Sequence, residues 1–332
     1  MNKVMNAPEK FVDESLRGIV LAHGDMLKYA ESDKRAIVRA DAPTEGKIAI
    51  ITGGGYGHLP VFLGYVGKGF CDGVAVGNVF TSPSCEAIVD AAKAANGGKG
   101  VLFLFGNYMG DSMNFDMAAE MLEFDDIPTA IVKCSDDAAS APRSDYKGRR
   151  GVAGIFFPYK IAGALAERMA PLEEVKELAE EVCANVATMG FSVSSCQLPG
   201  AGKPIFEIDE NEMELGMGIH GEPGVERTEM KTSSELAELL CDTLSRDLSL
   251  NSGDEIAVLV NSLGATSREE LYILYGDLHD AAEKRGLKIE KVFVGEYATS
   301  LEMAGASVSF LRLNETFREL LDDEAETPFV RT

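Results

Sequence analysis

The chain has 332 residues, of which 45% are hydrophobic, and carries 31 basic against 54 acidic side chains, a net charge of −23. That length and apolar content can build two α/β domains, or one large one. A balance this acidic repels nucleic acid and anionic membranes and argues against both as direct partners. The six cysteines (Cys71, Cys85, Cys134, Cys183, Cys196 and Cys241) form no C-x-x-C pair and no metal spacing with histidine, as expected of buried thiols in a reducing compartment. The first residues lack an apolar signal core, and no run of about 18 apolar residues occurs, so a cytoplasmic location is expected.

Short apolar runs alternate with amphipathic stretches. Ile48-Ala49-Ile50-Ile51-Thr52 reads as a buried strand feeding a Gly-rich loop, and Gly73-Val74-Ala75-Val76-Gly77 as another short strand. Residues 84–95 follow as a helix with Ile88, Ala91, Ala92 and Ala95 on one face. Val101-Leu102-Phe103-Leu104-Phe105 is the clearest strand, then come a helix over 112–122 and a strand over 129–133. This spacing predicts βαβ units and a largely parallel sheet. Helices are expected over 152–170 and 172–187, and 198–204, rich in Gly and Pro, reads as a connection between domains. Beyond it, helices at 233–244 and 267–284 alternate with strands at 256–260, 291–295 and 307–311. The polar tail from 322 onward is expected to be loose. The expected fold is therefore α/β, with two domains, each a largely parallel or mixed sheet flanked by helices. The division is placed at 1–190, carrying the Gly-rich and Asp loops, and 191–332, carrying the His220 loop.

Two of the four histidines sit among glycines. One is His220 in Gly216-Met217-Gly218-Ile219-His220-Gly221-Glu222-Pro223-Gly224; the other is His58 in Gly53-Gly54-Gly55-Tyr56-Gly57-His58. Glycine lets a backbone press against a small ligand while one imidazole stands over it, so one site built from two loops is expected. The run from Gly53 has no dinucleotide-binding spacing, and Gly200-Ala201-Gly202-Lys203-Pro204 is no phosphate loop. Asp111 follows the strongest strand and pairs naturally with His58 as acid and base toward a hydroxyl; it could equally cap its helix. Ser82 ends another strand, where it could hold a substrate hydroxyl or cap the next helix.

Taken together, six runs resemble the K subunit of dihydroxyacetone kinases. They are residues 53–60, 80–84, 107–115, 148–154, 216–224 and 299–305, in the family's order along nearly the whole chain. The resemblance implies a two-domain α/β protein, usually a homodimer, that binds a short-chain ketose covalently. A histidine nitrogen adds to the ketone carbon to give a hemiaminal, and His220 matches that histidine. His58 and Asp111 match the family's acid/base pair, while Ser82 and the backbone of Gly55 match substrate contacts. No cofactor or metal is implied on this chain. The nucleotide, Mg-ATP or ADP, belongs to a separate L subunit; in many bacteria that nucleotide is recharged through a phosphotransferase-system M subunit, and others use ATP directly.

The sequence departs from the common family pattern at Tyr56, where serine is usual, and at Leu59, where glutamate is usual. It also departs at Gly106, where a substrate-contacting lysine often stands. These departures resemble a branch that includes kinases of four-carbon ketoses such as erythrulose, so the ketose is either dihydroxyacetone or erythrulose. Some family paralogues are instead dihydroxyacetone sensors that act as transcriptional coactivators. Possession of both His58 and Asp111 favours the enzyme, because a sensor needs only capture.

Overall fold

The computed structural model describes residues 3–31 and 33–332. In chain order the elements are α1 (Phe11–Ala22), β1 (Leu27–Tyr29), β2 (Ala36–Arg39), β3 (Ala49–Tyr56), β4 (Gly73–Val79), α2 (Cys85–Ala95), β5 (Val101–Gly106), α3 (Met109–Glu123) and β6 (Thr129–Cys134). They continue with α4 (Phe156–Glu167), α5 (Leu172–Ala184), β7 (Val186–Ser192), β8 (Glu212–Leu215), β9 (Glu226–Glu229), α6 (Ser233–Asp247), β10 (Glu255–Ser262), α7 (Arg268–Lys284), β11 (Lys288–Gly295), β12 (Gly305–Arg312) and α8 (Glu315–Asp322). No helix among the described residues is long and apolar enough to cross a membrane.

Two compact units form. The first comprises Met1–Cys134, Pro158–Glu181 and Glu319–Thr332; the second comprises Ser135–Phe157 and Val182–Arg318. This differs from a single break after residue 190, since the chain passes between the units repeatedly. The 198–204 stretch lies inside the second unit and is not a connection between the two.

The first unit is built on a six-stranded mixed sheet in the order β1-β2-β4-β3-β5-β6. β4, β3, β5 and β6 run parallel, while β1 and β2 add antiparallel at the edge. Every residue of β5 is buried, as a parallel strand covered on both faces requires. The α2 and α3 side chains Ile88, Ala91, Phe115 and Leu122 pack with Ile51, Phe103 and Phe105 into one core. Buried Asp72 fixes the start of β3, accepting from the Ile50 N–H at 2.9 Å and from the Lys47 ammonium at 2.6 Å. From β3 the chain moves to β4 on one side, then crosses to β5 on the other. Such a reversal of strand order opens a crevice at the carboxyl ends of the strands.

The tail is packed, contrary to its polar composition. Ala325, Thr327 and Val330 are buried, and the Glu326 N–H donates to the Lys68 carbonyl at 2.9 Å. Buried Lys160 reaches the Leu320 carbonyl at 2.7 Å. Three small or apolar side chains and backbone pairing hold what a composition-based reading leaves loose.

The second unit's sheet has the order β11-β10-β12-β7-β8-β9. Only β10 and β11 are parallel; the other four pairings are antiparallel. A parallel return needs a crossover of a dozen or so residues. α7 supplies one between β10 and β11, whereas residues 296–304 give β12 no helix, and it returns antiparallel. Its core joins Leu240, Leu244, Leu274 and Leu278 of the helices to Val258, Val260, Val308 and Phe310 of the strands. Reciprocal caps start both helices: Thr232 with Glu235 for α6, and Ser267 with Glu270 for α7. The helix expected over 152–170 begins with a 3₁₀ turn at Ala153–Ile155 before α4. α5 ends at Ala184, so that Val186 and Ala187 belong to β7 instead.

Candidate functional site

In the first unit, the expected Gly-rich loop is the carboxyl half of β3. Gly53 and Gly54 pair in register with Ala75 and Val76 of β4, so their backbone serves the sheet and forms no phosphate cradle. Their lack of side chains serves close packing. A Cβ on Gly54 would stand 2.0 Å from the Phe62 ring, and one on Gly55 would stand 2.7 Å from the Thr81 nitrogen. The 80–82 turn therefore lies directly against the end of β3.

His58 is fully buried. Its ring stacks on Phe80 with centroids 4.7 Å apart and an interplanar angle of 11°, and meets the Phe62 ring edge-on at 6.4 Å. Phe80 takes φ 57°, a strained backbone for a bulky residue. Such strain persists where surrounding structure over-determines it, commonly at functional sites. Here the stacking on His58 and the contact with Gly55 supply that constraint.

Two residues further on, the Ser82 hydroxyl donates to Asp111 Oδ2 at 2.8 Å. The helix cap that Ser82 was a candidate for belongs to Ser84, whose Oγ accepts from the Ala87 N–H at 3.2 Å. Asp111 is not the cap of α3 either. Tyr108 holds that position with no side-chain cap bond, and Asp111 lies in the first turn, nine-tenths buried. Gly110 makes the approach possible, since a Cβ there would stand 2.6 Å from Ser82 Oγ. Gly106 closes β5 five residues before Asp111, buried beside the same strand-to-helix junction. The structure thus brings Gly55, His58, Ser82, Asp111 and Gly106 to the carboxyl ends of β3, β4 and β5. Tyr56 turns away toward α1, where its hydroxyl bonds Ser15 and its ring packs on Phe11.

In the second unit, His220 rides on the turn joining β8 to β9, which are antiparallel. Gly216 and Gly221 take φ 75° and 80°, conformations that favour glycine. Met217 and Ile219 are buried and anchor the turn, and the Ser300 hydroxyl donates to the Ile219 carbonyl at 2.6 Å. The His220 ring stays partly accessible. Its Nδ1 lies 2.9 Å from Glu222 Oε1, and its backbone N–H donates to Glu222 Oε2 at 3.0 Å. Burial pushes the Glu222 carboxyl up. The His220 ring, through its hydrogen bond and charge, and the loop N–H groups outweigh burial and hold the carboxyl down at about 2. A carboxylate accepts only, so Nδ1 must carry the proton of the neutral ring and Nε2 keeps a lone pair. The ring is thereby set up as a nitrogen nucleophile.

Behind this turn, Arg150 pairs with Asp137 at 2.8 Å. Asp137 is buried, and burial together with the neighbouring Asp136 raises it to about 6 against the pull of Arg150. Arg149 instead forms a two-pronged pair with Asp247 at 2.9 and 2.6 Å. Among the described residues, His279, Asp280 and Glu283 are the one trio of ligand-bearing side chains close enough to share an ion, and all three are exposed on α7. Exposed acidic groups of this kind are ordinarily solvated.

Residues 17–329 match the family model described as the Dak1 domain. The chain belongs to the Dak1 domain family. It is 43% identical over 331 residues to a Listeria innocua protein named as the dihydroxyacetone-binding subunit of a PTS-dependent dihydroxyacetone kinase, covering 100% of this chain and 99% of that one. It is 41% identical to a D-erythrulose kinase of Mycolicibacterium smegmatis, over 99% of this chain but only 56% of the longer relative. Among solved structures, the C. freundii dihydroxyacetone kinase superposes with a TM-score of 0.90 at 32% identity, covering 98% of this chain and 59% of that one. A dihydroxyacetone kinase operon co-activator superposes with a TM-score of 0.89 at 28% identity, covering 96% and 97%. The α/β fold with two helix-flanked mixed sheets is that of the Dak1 family.

Within this Dak1 chain, sequence reading overlooked Glu222, Arg150, Asp137, Phe80 and Ser300. Glu222 had a signal, since it stands two residues after His220 in the same glycine-rich run. Arg150 and Ser300 lay inside the quoted runs 148–154 and 299–305 with no role attached. Nothing in the sequence marks Phe80 as the stacking partner of His58.

Proposed function

We propose that this chain is the ketose-binding subunit of a dihydroxyacetone or erythrulose kinase, with the substrate held as a hemiaminal on His220. The observation that carries this reading is the Glu222–His220 contact, which puts the ring proton on Nδ1 and the nucleophilic lone pair on Nε2. In the capture step the Nε2 lone pair attacks the ketone carbon and the carbonyl π pair moves to oxygen. Positive charge builds on the ring, and Glu222 stabilises it across the Nδ1–H bond. Proton gain at the alkoxide and proton loss from the ring complete a neutral hemiaminal. A polyol without a carbonyl offers no such carbon, which gives selectivity by chemistry.

Asp111 and His58 serve as the acid/base pair for a ketose hydroxyl in phosphoryl transfer, with Ser82 orienting the Asp111 carboxylate. The phosphoryl group comes from a nucleotide with Mg²⁺ on a separate L subunit. The outward face of α3 supports docking of such a partner. Met109, Met113, Met117 and Met121 are all exposed at every fourth position, followed by exposed Phe124, and Met109 is two residues from Asp111. Exposed, adaptable methionines on one helix face suit a transient protein contact.

A sensor built on the same fold is the second reading, favoured by the likeness to the operon co-activator. The Ser82–Asp111 pair supports the kinase, because capture alone needs no base. The deciding test mixes the purified chain with candidate nucleotide-carrying subunits, Mg²⁺, ATP and a panel of short ketoses. Sugar phosphate is expected; ketose binding with no turnover across the panel would favour the sensor.

A further inference from the structure

The hairpin that carries His220 is backed by an ionic clamp between partly buried Arg150 and buried Asp137. Arg150 Nε and Nη2 both lie near Asp137 Oδ2, Nε donating at 2.8 Å. Nη2 also donates to the Gly216 carbonyl at 3.2 Å, and Nη1 lies 4.0 Å from Glu222 Oε2. One guanidinium thus touches a buried carboxylate, the root of the His220 turn, and the carboxylate that holds the His220 ring. Asp137 is itself fixed: its Oδ1 accepts from the Ala139 N–H at 3.0 Å, and its backbone N–H donates to the Arg150 carbonyl at 3.1 Å. Ser140 ties the same segments together, donating to the Asp137 carbonyl at 2.8 Å and accepting from the Arg150 N–H at 3.0 Å. Gly218 opens the space in which these groups meet. A Cβ there would stand 2.2 Å from Glu222 Oε2 and 2.7 Å from Arg150 Nη1.

We propose that Arg150, held by Asp137, is a positioning residue for ketose capture: it fixes the Gly216 end of the turn and the Glu222 carboxylate, and so keeps His220 in the Nδ1–H tautomer with the lone pair on Nε2. The role in capture rests on the function proposed above; the role in setting the tautomer does not. Three contacts fan from one planar group in different directions. A lysine ammonium is a single point donor on a flexible stem and cannot reproduce that fork. Glu222 has rotational freedom at three torsions, and without the Arg150 charge its Oε2 keeps only the His220 N–H, so the carboxylate would share time between ring and solvent.

The test reads the tautomer directly, with no ketose present. ¹⁵N-labelled protein is followed by long-range ¹⁵N–¹H correlation, with His220 assigned by comparison with a His220→Ala sample. Wild type is expected to show the Nδ1–H form. Arg150→Met should shift the ring by at least threefold in tautomer ratio toward Nε2–H, and Arg150→Lys should recover part of the difference. Gly218→Ala keeps every charge in place and wedges a methyl between Glu222 and Arg150, so it should give the same shift even if Arg150→Met fails to fold. Ketose adduct formation should fall at least tenfold in the same variants. A folded Gly218→Ala or Arg150→Met protein with the wild-type tautomer ratio would overturn the proposal. Failure of wild type to capture any ketose, with the tautomer shifts intact, would overturn the capture function and leave the positioning role established.

Discussion

Glu222 Oε1 and His220 Nδ1 lie 2.9 Å apart, two residues from one another on a single turn. This contact makes Glu222 a conspicuously strong acid, with its carboxyl held at about 2 in the folded chain against an ordinary value near 4.3. A carboxyl lowered on folding adds stability above its unfolded value, and that stability is lost as pH falls toward its folded value. Glu222→Gln should therefore cost stability at about pH 5, and the difference from wild type should narrow as pH falls toward about 3. Urea unfolding of both proteins across this range measures it. A gap that widens on acidification would contradict the contact.

Asp111 is expected to serve transfer more than binding. Loss of a general base typically removes a factor of roughly 10² or more from turnover. Asp111→Asn should keep ketose affinity by calorimetry within about threefold and lose about 10² in kcat with the partner subunit. Ser82→Ala removes one hydrogen bond to a charged carboxylate, an effect of about 1.5 kcal/mol, or roughly tenfold, and should reduce kcat less than Asp111→Asn does. Turnover within about threefold of wild type for Asp111→Asn would leave Asp111 as a helix-terminus residue only.

How far the sequence was readable follows the physics of each segment. β5 was plain because a strand buried on both faces is a continuous apolar run. α6 and α7 were plain because their cap residues and apolar period coincide. β8 and β9 were not, since each is four residues long, β9 is largely exposed, and pairing alone defines them. The Gly53–Gly57 run looked like a loop because glycine is a poor strand former; here close approach of Phe62 and the 80–82 turn demands it. The places of His58, Ser82 and Asp111 at strand ends were legible. The pairing of Ser82 with Asp111 was not, because it spans 29 residues. Arg150 was invisible as part of the His220 turn for the same reason, reaching across 66 residues to Gly216.

The absence of a side chain at Gly106 is expected to widen the ketose range. With Tyr56 turned toward Ser15, no bulky side chain from position 56 offsets that space. Comparing kcat/KM for dihydroxyacetone and both erythrulose enantiomers should show at least one four-carbon ketose within about tenfold of dihydroxyacetone. A preference for dihydroxyacetone of about 100-fold, or roughly 2.7 kcal/mol of transition-state binding, would assign the chain to the three-carbon substrate.

The methionine stripe of α3 is expected to matter only with the partner present. Met113→Glu places a charge on an exposed apolar face and should leave thermal stability within about 0.5 kcal/mol, as surface substitutions usually do. It should raise the partner concentration needed for half-maximal turnover by about tenfold, with ketose affinity unchanged. An unaltered titration curve would remove this face from the docking surface.

Covalent capture at His220 is tested most directly by a crystal of this chain soaked in dihydroxyacetone or erythrulose. Continuous density from His220 Nε2 to a tetrahedral carbon is expected. A planar, unattached ketone beside an intact His220 ring would contradict it.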